Sequence, residues 1–265
     1  QENQGWEFGF IHAWKSKGHG NSLIGILHST VRYWDLRYFF NKESYKRNDR
    51  CDLPLPAYVG VNGIAAKNMF LEGGYPQHRL VEVEALRYLY LENMKNDSNY
   101  FVENRETIKI VLVLGDYLKE NTKRLMKLLN SSVQSIDKQI KYIIKPHPVC
   151  PIYREDYPEI PMVVSNDPIE LLIKQCSLAY TSSITSAAVD AYFAGKPIVT
   201  ILKPNALNLS PLMGYEGVTF VTKSEELVEA INRDILKKQI DNQGKDFFYI
   251  DRGLPRWKKL LSLMG

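Results

Sequence analysis

The feature that most constrains the fold is a strand–turn–helix pattern that recurs between residues 140 and 202. Residues 140–146 (IKYIIKP) are a short apolar run rich in β-branched residues, which predicts a strand. Two prolines end this run, because Pro148 cannot donate to a ladder and Pro146 biases Lys145 toward extended geometry. The pattern therefore predicts a strand whose carboxyl end presents His147.

The same region continues with a strand, a turn into a helix, and another strand. SLAY (177–180) and IVTIL (198–202) predict strands, and the intervening Thr/Ser-rich segment predicts a helix over 184–194. Ser182 or Ser183 is expected to cap this helix at its N-terminus. Ligands of open α/β sheets bind outside the carboxyl ends of the strands, where a helix N-terminus favours an anion. We therefore expect a phosphate site at this edge of the sheet.

The rest of the chain alternates strands and helices in the same rhythm, which predicts an α/β fold with a doubly wound parallel sheet. Strands are predicted at 23–27, 57–61, 80–83, 108–115, 161–165 and 217–221. Helices are predicted at 7–17, 63–72, 84–95, 117–130, 167–175 and 224–235. A terminal helix at 254–265 would bury Trp257, Leu260, Leu261 and Met264. The strand at 108–115 is too continuously apolar for an edge, so we expect it to be central.

A polar stretch at 96–107 (NDSNYFVENRET) marks the expected domain boundary. Residues 1–107 are expected to be part of an N-terminal Rossmann-like domain, and residues 108–250 a C-terminal one. Residues 251–265 are expected to form a terminal helix that packs back on the first domain.

Composition excludes several classes of protein. The net charge of +4 is spread among mixed charges, which suits anionic ligands but is no nucleic-acid signature. The three cysteines (Cys51, Cys150 and Cys176) form no CxxC motif, so we expect neither disulfides nor zinc, and a reducing cytoplasm. No apolar run reaches 18 residues and no signal peptide is present, so no transmembrane helix is expected. Walker, GxGxxG and Asp-x-Asp motifs are absent, and we expect no cofactor and no bound metal.

Candidate acids and bases lie mainly near the start of the chain. Glu2 and Glu7 bracket residues 3–6 in an aromatic setting that suits a carbohydrate, so either could act as a base. The alternative is that Glu7 only places negative charge in the first turn of a helix. His28 ends the strand predicted at 23–27 beside hydroxyls, as His147 ends its own strand. Asp35 and Asp116 are further candidates.

Several of these residues also have a structural interpretation. A histidine after a strand is often structural, and capping explains one hydroxyl of the cluster at 182–186. Glu82 and Glu84 share one side if strand geometry continues, but Glu84 otherwise begins a helix. The aromatic run at 31–40 could stack a base or a sugar, or belong to the core.

The pairing of KPHP (145–148) with TSSITSAAVDAYFAGKPIVT (181–200) resembles the C-terminal domain of GT-B-fold bacterial glycosyltransferases that build surface carbohydrate. Among them it is most similar to sialyltransferase-like and Kdo-transferase-like enzymes with a His-Pro motif. The resemblance implies that His147, Pro148 and the serines bind the phosphate and sugar of a CMP-linked donor. The candidate donor-binding residues are therefore Lys145, His147, Pro148, Thr181, Ser182, Ser183, Thr185 and Ser186.

The N-terminal stretch resembles the end of the first domain of a surface-carbohydrate biosynthesis family, in which a Gln-His-Gly turn faces the cleft. Here the corresponding residues are Leu27-His28-Ser29. A GT-B enzyme needs two Rossmann-like domains, so we expect the earlier half of the first domain to precede residue 1.

These observations predict a metal-independent glycosyltransferase that moves a sugar from a nucleotide donor, CMP-linked, to a glycan or lipid-linked glycan of capsule or lipopolysaccharide. Glu7, Glu2 and His28 are its candidate catalytic residues. No nucleic-acid partner is expected, and peripheral contact with the inner face of the cytoplasmic membrane is permitted. Two alternatives stay open: a non-catalytic nucleotide- or glycan-binding subunit, and a nucleotide-sugar epimerase of the same shape, which would need several carboxylates and a histidine around the sugar.

Overall fold

The structure, a computed structural model, describes residues 1–19, 23–45, 53–92, 109–236 and 247–262. The chain divides into two compact units, Gln1–Asn93 with Lys245–Gly265, and Met94–Gly244. The segment at 96–107, where the sequence predicts the domain boundary, lies outside the described residues.

Helices and strands alternate along most of the described chain. The strands are β1 (Ile24–Ile26), β2 (Tyr58–Val61), β3 (Leu80–Glu82), β4 (Lys109–Leu114), β5 (Ile140–Lys145), β6 (Met162–Val164), β7 (Leu178–Ser182), β8 (Ile198–Ile201) and β9 (Val218–Val221). The α-helices are α1 (Gly5–Ser16), α2 (Ile64–Glu72), α3 (Lys119–Ser132), α4 (Ile169–Gln175), α5 (Ala187–Phe193), α6 (Ser224–Asp234) and α7 (Pro255–Ser262). Among the described residues, none of these helices is long and apolar enough to cross a membrane.

The first unit contains a three-stranded sheet in the order β1-β2-β3, with both pairings parallel. Its core includes Val59 and Val61 of β2 and Phe70 of α2, each fully buried. The carboxyl ends of parallel strands meet at one edge of a sheet, so the residues after Ile26, Val61 and Glu82 lie along the same edge.

The second unit contains a six-stranded sheet in the order β6-β5-β4-β7-β8-β9, and every pairing is parallel. Strand β4 is central, and its last four residues are buried. Helix α3 covers part of the core with Leu125, Met126 and Leu129 and leaves its lysines exposed. This doubly wound parallel arrangement confirms the α/β, Rossmann-like fold class and the central position of the strand predicted at 108–115.

The helix predicted at 84–95 is wrong at its start, over residues 84–90, whereas residues 91 and 92 are helical. A short 3₁₀ turn at Leu86–Tyr88 replaces its beginning. The backbone there is already engaged, because the N–H of Ala85 donates to the carbonyl of Tyr249 at 2.8 Å. A contact with a segment more than 160 residues away therefore overrides a local helix preference.

Two details of predicted helix ends are also wrong. Ser182 is the last residue of β7 and Ser186 precedes α5, so neither Ser182 nor Ser183 is the N-cap. In the terminal helix Leu260 is buried as expected, but Leu261 is 62% exposed. Met264 lies outside the described residues.

The side chain of Glu84 is fully buried and holds the start of α7 in the first unit. Its carboxylate accepts the backbone N–H groups of Arg256 at 3.0 Å and Trp257 at 3.1 Å, and pairs with the Arg256 guanidinium at 3.2 Å. The indole N–H of Trp257 donates to the carbonyl of Glu84 at 2.9 Å. A carboxylate that contacts the first turn of a helix accepts hydrogen bonds from N–H groups that have no partner within the helix, and its negative charge complements the helix dipole.

We expect Glu84→Ala to lower the free energy of unfolding of the first unit by about 3 kcal/mol, because it leaves a cation and two helix N–H groups without their partner. Urea unfolding followed by tryptophan fluorescence measures this change, because all four tryptophans of the chain lie in the first unit. The control is Glu72→Ala at the exposed end of α2, which should change stability by less than about 0.5 kcal/mol. Equal effects of the two substitutions would contradict the capping role.

Candidate functional site

The candidate site lies at the carboxyl edge of the second sheet, where the strand order reverses. From β4 the chain proceeds outward through β5 and β6, and then returns to pair β7 with the other side of β4. The loops that leave β4 and β7 therefore turn to opposite faces of the sheet and open a crevice between them. Open α/β sheets bind their ligands at such a switch point.

Gly115 ends β4 and allows the His147 turn to come close. Its N–H donates to the carbonyl of Lys145 at 2.9 Å. A Cβ built on Gly115 would lie 3.0 Å from the backbone nitrogen of His147 and 3.3 Å from the Cα of Pro146. A larger residue would push the turn outward, so Gly115 fixes His147 beside the switch point.

A buried polar cluster joins the two loops of the switch point. Asp116 is 1% exposed and Ser182 is 3% exposed. The Ser182 hydroxyl donates to Oδ2 of Asp116, and the same oxygen accepts the amide of Asn121 at 2.9 Å. The N–H of Asp116 donates to the hydroxyl of Thr122 at 2.9 Å. These bonds fix the start of α3 against the end of β7, and they occupy the hydroxyl of Ser182.

The hydroxyls of the predicted cluster fall into two groups, those that form hydrogen bonds within the protein and those that do not. Thr181 is fully buried and its hydroxyl lies 3.2 Å from that of Thr200. The hydroxyls of Ser183, Thr185 and Ser186 are half-buried and form no hydrogen bond with any described residue. Three hydroxyls of the turn are thus open for a ligand, while Thr181 and Ser182 hold the turn in place.

His147 is half-buried in a tight turn, in which its carbonyl accepts the N–H of Cys150 at 2.8 Å. Its Nδ1 accepts the N–H of Val149 at 3.4 Å, which assigns the proton of the neutral ring to Nε2. The ring lies 6.3 Å from the ring of Tyr117, edge to face. Nε2–H has no acceptor among the described residues, so His147 can donate to an anion.

The other two predicted residues of this turn differ in their surroundings. The Lys145 ammonium donates to the carbonyl of Asp167 at 2.7 Å and to that of Asn166 at 3.4 Å, so it anchors the next loop. Pro148 is exposed. A cavity of about 570 Å³ adjoins the turn, and its lining includes His147, Tyr153, Arg154 and Asn166.

In the first unit, Glu7 caps the helix that contains it. Its Oε2 accepts the N–H of Gln4 at 2.8 Å and that of Glu2 at 2.9 Å, which forms a capping box at the start of α1. The side chain is 12% exposed. This arrangement matches the structural interpretation of Glu7, and its catalytic role stays a prediction.

Glu2 belongs to an ion-pair network beside the end of β1. It accepts the Ser29 hydroxyl and the Arg37 guanidinium, both at 3.1 Å, and Arg37 also pairs with Asp35 at 2.6 Å. Burial raises the pKa of Glu2, but the bonds from Ser29 and Arg37 and the guanidinium charge outweigh it and hold the pKa below its ordinary value. Burial likewise raises the pKa of Asp35, and Arg37 more than offsets it. Both carboxylates are therefore weakened as bases.

His28 is exposed just beyond the carboxyl end of β1 and has no hydrogen bond with a described residue. The structure thus places Glu2, Ser29 and His28 near one strand end, and leaves His28 accessible. Sequence reasoning missed Gly115 and Asn121 as parts of the switch-point site. The sequence feature that could have indicated this site is the Gly-Asp pair directly after the most apolar strand.

The described residues contain no group of three or more His, Cys, Asp or Glu side chains that could hold a metal ion. Cys150 and Cys176 are buried and free, and Cys51 lies outside the described residues.

A scan against protein-family models gives no match, and a search of the curated proteins gives none either. Solved structures with the same fold are found. The UDP-GlcNAc 2-epimerase from Methanocaldococcus jannaschii has a TM-score of 0.57 at 15% identity, over 96% of this chain and 73% of that one. The UDP-N-acetylglucosamine 2-epimerase from Rickettsia bellii has a TM-score of 0.53 at 12% identity, over 99% and 79%.

Anabaena HepE in complex with UDP and glucose matches with a TM-score of 0.46 at 14% identity, over 84% of this chain and 64% of that one. The two epimerases have GT-B-like folds, and their likeness to this chain confirms the predicted fold class. At such identities the likeness defines the fold and leaves the reaction to the site.

We expect Ser182→Ala to lower the free energy of unfolding of the second unit by about 1–3 kcal/mol, because it removes one of the donors to the buried Asp116 carboxylate and leaves only those of Asn121 and Leu118. Ser183→Ala, one residue later, removes a hydroxyl that has no partner and should cost less than about 0.5 kcal/mol. Hydrogen exchange of the β4 and β7 amides measures both. Equal losses would show that the Asp116–Ser182 bond does not hold the loops.

We expect Arg37→Gln to lower the melting temperature most at neutral pH. The folded-state pKa values of Glu2 and Asp35 lie below their unfolded values near 4, so this stabilisation is complete above that pH and is lost as pH falls through the folded values. The difference in melting temperature between the natural protein and the Arg37→Gln variant should therefore become smaller as the pH falls from about 5 to about 2.

The control for this experiment is Arg79→Gln, since the Arg79 guanidinium donates to the carbonyl of Pro56 at 3.0 Å. Its effect on the melting temperature should not follow carboxylate titration. A constant difference for Arg37→Gln across the same pH range would contradict the ion-pair network.

Proposed function

We propose that this chain is a glycosyltransferase that binds a nucleotide sugar at the carboxyl edge of the second sheet. One arrangement supports the proposal: His147 follows β5 and the three open hydroxyls follow β7, and these two strands flank β4, so both loops begin at the carboxyl edge of the sheet on either side of the switch point. Each of these groups can donate a hydrogen bond, and a phosphate accepts several. The printed names of two structural neighbours, both 2-epimerases of UDP-GlcNAc, support a nucleotide sugar as the ligand.

The donors act on the phosphate that leaves with the nucleotide. Nε2–H of His147 and the hydroxyls of Ser183, Thr185 and Ser186 would stabilise the negative charge that grows as the glycosidic bond breaks. Such fixed donors are often the largest catalytic contribution, and the loss of one typically costs on the order of 10²–10³ in rate. Ser182, Thr181 and Lys145 would keep these donors in position through their own buried or backbone bonds. No metal ion or cofactor is required in this scheme.

The finer identity of donor and acceptor rests on the sequence resemblance at 145–148 and 181–200. It favours a CMP-linked sugar as the donor and a glycan or lipid-linked glycan of capsule or lipopolysaccharide as the acceptor. Of the three candidate bases, His28 is the most accessible, because Glu7 caps a helix and Glu2 is bound to Arg37. Glu2 would then hold Ser29 and the strand end beside His28.

An epimerase is the second candidate, because the two structures with TM-scores above 0.5 both act on UDP-GlcNAc by their names. It would use the same phosphate donors and release a changed sugar on the same nucleotide. Incubation with UDP-GlcNAc, followed by NMR of the sugar protons, separates the two reactions. Formation of the 2-epimer without an acceptor would replace the transferase proposal.

Calorimetric titration of CMP, UMP, UDP and GDP tests the donor site. We expect selective binding of CMP, and we expect His147→Ala to weaken it roughly 10- to 100-fold, because a hydrogen bond to a charged group is lost. His78→Ala, an exposed histidine of the first unit, is the matched control and should bind as the natural protein does.

The other outcomes of this titration are equally informative. Selective binding of UDP or GDP would keep the site and change the donor class. Binding that His147→Ala leaves intact would contradict the role of the turn, and the absence of binding by all four nucleotides would contradict the donor site itself.

A further inference from the structure

We propose that a basic groove on the second unit, apart from the His147 turn, binds an acidic glycan chain. The basic groove is the concave surface between helix α3 and the residues that follow β8, and its volume is about 760 Å³. Its charged residues are Glu120, Lys123, Arg124, Lys127 and Lys203. The inference rests on the proposed function, since it assigns the acceptor or product of that reaction a repeated negative charge.

The charges of the basic groove are unbalanced. Four cations face one carboxylate, and Lys123, Lys127 and Lys203 are exposed. Among the described residues, none of these three lysines forms an ion pair or a side-chain hydrogen bond. Cations of one sign on a concave surface concentrate the field there and attract an anionic ligand.

Arg124 adds a third cation to the helix side of the groove. One N–H of its guanidinium donates to the carbonyl of Thr222 at 3.2 Å. Among the described residues it forms no ion pair with a carboxylate, so its positive charge adds to that of the lysines.

The arrangement of the cations fits a linear ligand better than a compact one. Lys123 and Lys127 are four residues apart on the exposed face of α3, so their side chains succeed one another along the helix axis at about 6 Å. Lys203 belongs to the opposite wall, and Leu128 and Pro204 add apolar surface. A chain of sugars with regularly spaced carboxylates or phosphates offers both charges and apolar ring faces to such a groove.

Other anionic partners fit less well. A flat bilayer surface does not enter a concave groove, and single-stranded nucleic acid is normally stacked on aromatic side chains, which the lining residues do not include. The acidic glycan is therefore the partner that both shape and charge favour.

Binding of polysialic acid to the full chain tests the inference, with neutral dextran as the uncharged comparison. We expect polysialic acid to bind and dextran not to bind, and the affinity to fall steadily as the logarithm of salt concentration rises. The double variant Lys123→Ser/Lys127→Ser should weaken binding roughly tenfold, because two ion pairs are lost. The control Lys138→Ser/Lys141→Ser removes two exposed lysines outside the groove and should change affinity less than twofold.

Equal losses in the two double variants would show non-specific attraction and overturn the proposal, and so would binding of dextran. Phosphatidylglycerol vesicles that bind more tightly than the polymer, with the same dependence on Lys123 and Lys127, would reassign the groove to a membrane surface. Titration of nucleotides on the same samples keeps this result apart from the donor site. Polymer binding without nucleotide binding would support the groove and contradict the donor site, and the converse would overturn the groove alone.

Discussion

Strand β4 pairs with β5 along one side and with β7 along the other, and the candidate site depends on this double pairing. The strand can occupy the centre of the sheet because its last four residues are apolar and both of its faces are covered. The chain leaves β4 toward β5 and comes back at β7, so the two loops at its carboxyl end must diverge. Gly115 and Asp116 lie at that point. Gly115 leaves room for the His147 turn to pack closely, and Asp116 accepts a hydrogen bond from Ser182 at the end of β7.

In the Thr/Ser-rich segment at the end of β7, the position of each residue along the backbone decides whether its hydroxyl bonds within the protein or stays open to a ligand. A hydroxyl inside the sheet has no access to water and must find a partner, so Thr181 meets Thr200 and Ser182 meets Asp116. Hydroxyls in the turn that follows are half-exposed and can remain without a protein partner at little cost. Residue type alone would assign all of them to the ligand, and their position relative to the strand end separates them.

The strands of both sheets could be predicted from the sequence, because continuous apolar runs between turn residues report burial directly. The doubly wound parallel sheet followed from the alternation of strands and helices, but the position of its switch point and the polar cluster there did not, since nothing local connects Asp116 to Ser182, 66 residues away. The start of the helix predicted at 84–95 is wrong for the same reason. Glu84 and Ala85 bond to residues of the C-terminal segment, and a local preference for helix cannot compete with those contacts.

The choice of a general base in the first unit also depends on contacts that the sequence does not reveal. Glu2, Glu7 and His28 were comparable candidates as residue types near one strand end. A base must present a lone pair that no protein donor occupies, and its affinity for a proton must be close to the working pH. The Glu7 carboxylate is filled by backbone N–H groups, and the Glu2 carboxylate is bound to Ser29 and to a guanidinium that lowers its pKa. His28 is exposed and free of such donors among the described residues. The contacts of Glu2 that make it a poor base also hold the end of β1 in place through Ser29, the residue next to His28.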